Sequence, residues 1–130
     1  MTPTFNIYMA AVQYQQPKVT NDNLIIIKIK EVIKEVTGIS WEQINQPTRQ
    51  REIMLSRQLF HFLCRKFTSQ SLKYIGSLTT RNYDHSTVIS SIEQITYIID
   101  LKHRSDNYPK VESAILRLTA YTGKKIIWNI

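Results

Sequence analysis

Apolar residues recur three and four positions apart in four stretches of the chain, and each stretch predicts a helix with one buried stripe. The first runs from a cap at Thr20 or Asn21, with Asp22 in its opening turn, to about Val36. Ile25, Ile29, Val32 and Val36 form its buried side, and Gly38 closes it. Lys28, Lys30 and Lys34 interleave with Glu31 and Glu35 in the pattern of a solvated face. The second stretch, about Arg51 to Phe67, buries Leu55, Leu59, Phe60, Phe62 and Leu63, while Gln58, His61 and Arg65 share another face. The third carries Val88, Ile92, Ile95 and Ile99. The fourth, about Pro109 to Tyr121, buries Val111, Ile115 and Leu118; Pro109 suits the first helical position and Gly123 ends the helix.

Two short helices bring the expected number to about six. Ser40 opens one over Trp41–Asn45, with Gln43 completing a capping box and Trp41 and Ile44 plugging the core. Ser71 caps the other. Pro47 ends regular structure and leaves Thr48-Arg49-Gln50-Arg51 as a basic connection; Lys102 to Tyr108, with His103 and Asp106, is a polar connector. The fold class is therefore all-α, with residues 21–122 as one domain. Residues 1–20 form an arm with a short strand in which Phe5, Ile7 and Met9 alternate, and 123–130 a short extended tail around Ile126 and Trp128.

The stretch from Ser71 to Ile99 carries the most information. It reads as a short helix, a polar connection and a longer helix whose opening residues, Asp84, His85, Ser86 and Thr87, are all polar. Backbone N–H groups at such an end have no intrahelical partner. A helix held to a core by its body, with a polar tip pointing outward, is what helix-turn-helix proteins place in the DNA major groove.

Charge sharpens this picture. The net charge is +7, which favours a polyanionic partner. Between Gln46 and His85, Arg49, Arg51, Arg57, Arg65, Lys66, Lys73 and Arg81 stand against Glu52 and Asp84, so five of the seven excess charges surround the helix-turn-helix. The single cysteine, Cys64, excludes an intramolecular disulfide and fits a reducing compartment. No signal peptide is recognisable, and the apolar runs are too short for a membrane span. With three glycines and no Gly-x-x-x-x-Gly-Lys run there is no phosphate-cradling loop, and one cysteine with scattered His61, His85 and His103 offers no zinc spacing. Cys64 lies within the apolar helix, as a buried structural thiol does, rather than as a nucleophile paired with His61. Asp84 has no accompanying carboxylate or histidine cluster, so a nuclease is not expected.

SLKYIG followed by YDHSTVISSIEQI resembles the C-terminal DNA-binding domain (domain IV) of the bacterial replication initiator DnaA, whose signature is Ser-Leu-x-x-Ile-Gly, a Gly-Gly-Arg linker and Asp-His-Ser/Thr-Thr-Val. Upstream, TRQREIMLSRQLFHFLCRKF is similar to that family's basic loop and Ala-Arg-x-Gln helix; the resemblance runs from roughly Asn23 to Leu118. It implies a six-helix fold of the DnaA domain IV or Trp-repressor kind, binding double-stranded DNA in replication initiation or its control. It also implies a cytoplasmic, nucleoid-associated protein with no enzyme activity, no cofactor and no nucleotide binding, since the ATPase part of the family has no counterpart here. Thr79-Thr80-Arg81-Asn82-Tyr83 replaces the Gly-Gly-Arg region and makes the connection between Gly76 and Asp84 one residue longer, with fewer options for positive φ, Asn82 being the residue that best tolerates left-handed geometry.

On this reading Asp84, His85, Ser86 and Thr87 meet base edges in the major groove. An aspartate can accept from a cytosine amino group, a serine can bond either base type, and a threonine methyl can pack on a thymine methyl. Arg49 falls where the family places its minor-groove arginine, although an ordinary solvated loop also fits the residues alone. Arg57 and Gln58 resemble backbone-contacting positions; Arg51, Arg65, Lys66, Lys73 and Arg81 complete the expected phosphate contacts. The rival reading is a helix-turn-helix adaptor or transcriptional regulator acting mainly through protein contacts, favoured by the altered linker.

Overall fold

Local capping chemistry sets the helix boundaries along the chain. The computed structural model describes residues 19–124, which form six α-helices and one 3-10 turn, with no strand among the described residues. Helix α1 (Asp22–Thr37) starts where the Asn21 side chain accepts from the Leu24 amide at 3.2 Å and stops where Gly38 turns left-handed at φ 78°. Helix α2 (Trp41–Ile44) carries the capping box: Ser40 Oγ accepts from the Gln43 amide at 3.2 Å and Gln43 Oε1 from the Ser40 amide at 2.9 Å. Helices α3 (Arg51–Phe67), α4 (Leu72–Gly76), α5 (His85–Leu101) and α6 (Tyr108–Thr122) follow. The expected N-terminal arm and C-terminal tail lie outside the described residues, apart from Val19, Thr20, Gly123 and Lys124.

Helix α3 is the axis of the fold and packs against all five other helices. Its apolar face supplies Leu59, Phe60, Phe62, Leu63, Cys64 and Phe67, all buried. Around it, α1 buries more than a single stripe. Val36 is only half-buried, while Ile26 and Ile33 join Ile25, Ile29 and Val32 inside. The reason is that α1 lies between α3 and α6 and needs an apolar face toward each. Helix α6 begins one residue earlier than the sequence suggests, at a buried Tyr108, which leaves Pro109 at the second helical position. Between α5 and α6, Lys102 takes φ 52°, the one positive φ among described non-glycine residues.

Helix α5 is anchored by its body. Val88, Ile95, Ile98 and Ile99 are buried and Ile92 partly so. Each such burial contributes about 1.5–3 kcal/mol, so the helix stays docked although its first turn contributes nothing to the core. No described helix is long and apolar enough to cross a membrane.

Candidate nucleic-acid interface

Two polar segments, both held from behind by the core, make up the site. The first is the tip of α5. Ser71 caps α4 by accepting from the Tyr74 amide at 3.1 Å, and α4 ends at Gly76, whose carbonyl accepts from the Tyr83 amide at 2.9 Å. The linker between them turns without any left-handed residue, so Asn82 does not supply the positive φ that the sequence suggested. Instead Thr79 is buried and its hydroxyl donates to the Arg81 carbonyl at 2.5 Å. This closes a turn from within, as short hydroxyl side chains do.

Asp84 then caps α5. Its Oδ1 accepts from the Thr87 amide at 3.0 Å and from the Ser86 hydroxyl at 2.8 Å. These two bonds hold the exposed carboxyl below the usual carboxylate range and keep it charged at the positive end of the helix dipole. Asp84, His85, Ser86 and Thr87 are all exposed, and Val88 immediately behind them is fully buried. The four residues expected to read bases thus lie together at one surface tip. Part of the hydrogen-bonding capacity of Asp84 and Ser86 serves the cap.

The second segment is the basic loop between α2 and α3. Arg49 and Arg51 are exposed, and the Thr48 hydroxyl accepts from the Gln50 amide at 3.2 Å to shape the approach to α3. Arg57 has a different setting from the one expected. Its Nε donates to the Ile44 carbonyl at 3.1 Å, and its Nη2 donates to the carbonyls of Ile44 at 2.7 Å and Gln46 at 2.9 Å. Most of that fork therefore binds the protein's own loop.

Loop and tip face each other across a groove of about 370 Å³, lined by Arg49, Arg57, Gln58, Arg81, Tyr83 and Thr87 among others. Three guanidinium groups on one groove beside a polar helix tip favour an anion with extended shape. Arg51, Arg65, Lys66 and Lys73 do not line it. Arg65 reaches the Gln70 carbonyl at 3.5 Å in the α3–α4 turn, and Lys73 is exposed on α4. Lys66 is partly buried with its ammonium 5.7 Å from the Phe62 ring; burial and the neighbouring Arg65 lower its pKa. No group of three or more His, Cys, Asp or Glu is placed to hold a metal among the described residues.

The floor of the groove holds residues that sequence reasoning misplaced or passed over. His61 is fully buried, not on a polar face: Nδ1 lies 2.9 Å from Ser91 Oγ on α5, and Nε2 has no partner. Burial above all, then the Arg57 charge, lowers its pKa to about 4, so the ring is neutral at physiological pH. Tyr83, the last linker residue, stands edge-on to His61 with ring centroids 5.6 Å apart, and has Arg57 and Arg81 at 5.9 and 5.6 Å from its own centroid. Asp22 ties α1 to the turn before α4, its Oδ2 accepting from the Ser69 amide and hydroxyl and from Gln70 Nε2. Burial raises its pKa, but those hydrogen bonds outweigh burial and leave it lowered. A serine four positions past the tip and an acidic residue in the first turn of α1 were the only sequence signals for these contacts.

The family model described as "Bacterial dnaA protein helix-turn-helix" matches residues 26–95, just over half of the chain, and so takes in the basic loop and the tip. The chain is 43% identical over 92 residues to the chromosomal replication initiator protein DnaA 1 of Chlamydia muridarum, covering 69% of this chain and 20% of that protein. It is 40% identical over 76 residues to the DnaA of Desulfotalea psychrophila (58% and 15%) and 39% identical over 67 residues to that of Kosmotoga olearia (52% and 14%). The chain thus spans a fifth or less of the length of these relatives. No solved structure matches it.

Proposed function

The chain belongs to the bacterial DnaA helix-turn-helix family, and from that membership we propose that it binds double-stranded DNA with sequence preference. The α5 tip enters the major groove, where Asp84, His85, Ser86 and Thr87 meet base edges. Arg49 enters the adjacent minor groove, whose negative potential, deepest over narrow A·T-rich tracts, rewards a guanidinium. The strand between the two grooves then passes over the basic groove. Gln58 and Arg81 contact its phosphates there, and Arg51, Arg65, Lys66 and Lys73 contact phosphates to either side. Arg57 adds positive charge to the groove while supporting the loop.

The observation that carries this reading is the pairing of an exposed polar helix tip with a groove lined by Arg49, Arg57 and Arg81, both backed by the core. The biological setting is replication initiation or its control, on DNA at the nucleoid in the cytoplasm. No catalytic step and no nucleotide enter the reading.

The test is a salt titration of duplex binding. With about five phosphate contacts, log K falls against log salt with a slope of roughly −4 to −5. Binding that is measurable but insensitive to salt contradicts DNA binding and favours a protein partner.

A further inference from the structure

The basic loop and the helix-turn-helix linker are far apart in sequence yet tied together twice. The Thr80 amide donates to Asn45 Oδ1 at 2.7 Å, and Asn45 Nδ2 is itself fixed on the Trp41 carbonyl at 2.9 Å. Arg57, rooted in α3, grips the carbonyls of Ile44 and Gln46 with Nε and Nη2 and lies against the ring of Tyr83 at the end of the linker. Surface loops ordinarily move independently of one another. Here the segment that presents Arg49 and the segment that delivers the α5 tip share a hydrogen bond and a shared arginine.

We propose that Asn45 and Arg57 are positioning residues that fix the distance between the minor-groove arm and the major-groove tip. The chain accordingly recognises only duplexes in which an A·T-rich tract lies at one spacing from the major-groove sequence. The inference rests on the reading of Arg49 and the α5 tip given above, and adds to it the phasing of a two-part site. One inserted base pair moves the tract by about 3.4 Å and rotates it by roughly 35° around the duplex. A hydrogen bond loses its strength beyond about 3.2 Å and away from linear geometry, so the two ties cannot follow such a shift. Arg57 also cannot be replaced here by any cation, because a planar fork reaches two carbonyls at once where an ammonium is a point charge.

The experiment uses the full chain and a series of duplexes carrying the sequence it selects from a random pool, with one or two base pairs added or removed between the A·T-rich tract and the major-groove core. The wild-type protein shows a single optimum and binds roughly tenfold more weakly for each misplaced base pair. Arg57→Lys, which keeps the charge, and Asn45→Ala, which removes both the acceptor for the Thr80 amide and the donor to the Trp41 carbonyl, each flatten this profile. Melting curves taken alongside identify any variant that does not fold, and the remaining substitution then carries the test. Variants with the wild-type optimum, or a flat wild-type profile on specifically bound duplexes, each overturn the tether and leave DNA binding standing. A wild-type protein that selects no sequence overturns the DNA reading itself.

Discussion

The carbonyl oxygen of Tyr83 packs against the α-carbon of Gly76 so closely that a β-carbon at Gly76 would lie 2.1 Å from it. The Tyr83 amide simultaneously donates to the Gly76 carbonyl at 2.9 Å, so the linker end is docked flat on the end of α4. Glycine is needed here for close approach and not for an unusual φ. Because the obstacle is backbone, Gly76→Ala must push the linker and the start of α5 away, a strain of about 1–3 kcal/mol or more. Thermal melting should show that loss, and sequence preference should fall with it. A Gly76→Ala protein that melts like the wild type would contradict the docking.

The buried His61 makes stability fall with acidity in a defined window. Its folded pKa is lowered to about 4 from 6.5, so between those values the unfolded chain takes up a proton that the folded one refuses. Stability therefore declines as pH drops from 6.5 toward 4, by up to about 3 kcal/mol, and this contribution levels off below. Asp22 and Asp84, both lowered from 3.8, stabilise the fold above that value and lose their effect only at more acid pH. Denaturant unfolding at pH 7 and pH 4.5 should show the loss in wild type and its disappearance in His61→Leu. An equal loss in both proteins would assign it to other groups.

Arg49 and Lys73 should separate by what they read. Arg49→Ala weakens binding most on duplexes with an A·T-rich tract beside the core sequence. Lys73→Ala weakens all duplexes about equally and reduces the salt slope by about one. Equal, sequence-independent losses from both would make Arg49 a phosphate contact.

Most helix boundaries were legible because they follow from local chemistry. Asn21, Ser40 and Ser71 accept from the amide three residues on, and Gly38 and Gly123 take left-handed φ, whereas Asp84, read in the sequence as the first residue of its helix, stands just before it as the cap. What was not legible depends on which helix lies opposite. Ile26 and Ile33 are buried because α1 has two neighbours, and no periodicity in α1 alone announces the second. His61 is polar by type and internal by position, since Ser91 of α5 meets its ring. The grip of Arg57 on the Ile44 and Gln46 carbonyls needs the loop to fold back on α3, a long-range event without a local signature. The tip was legible as a set because an N-terminal turn without apolar residues has no place in a core.

The central claim is that the α5 tip reads bases, and His85 tests it most directly. Ser86 and Thr87 are bonded into the Asp84 cap, whereas His85 is an exposed residue ahead of the buried Val88, so truncating it leaves cap and core in place. The measurement compares the duplexes selected from a random pool by wild type and by His85→Ala. Melting should stay within about 0.5 kcal/mol of wild type. Preference at one or two adjacent base pairs should flatten by roughly 1–3 kcal/mol, with non-specific binding retained through the phosphate-facing cations. A His85→Ala protein that folds normally and selects the same sequence with the same stringency would contradict the assignment of α5 as the recognition helix.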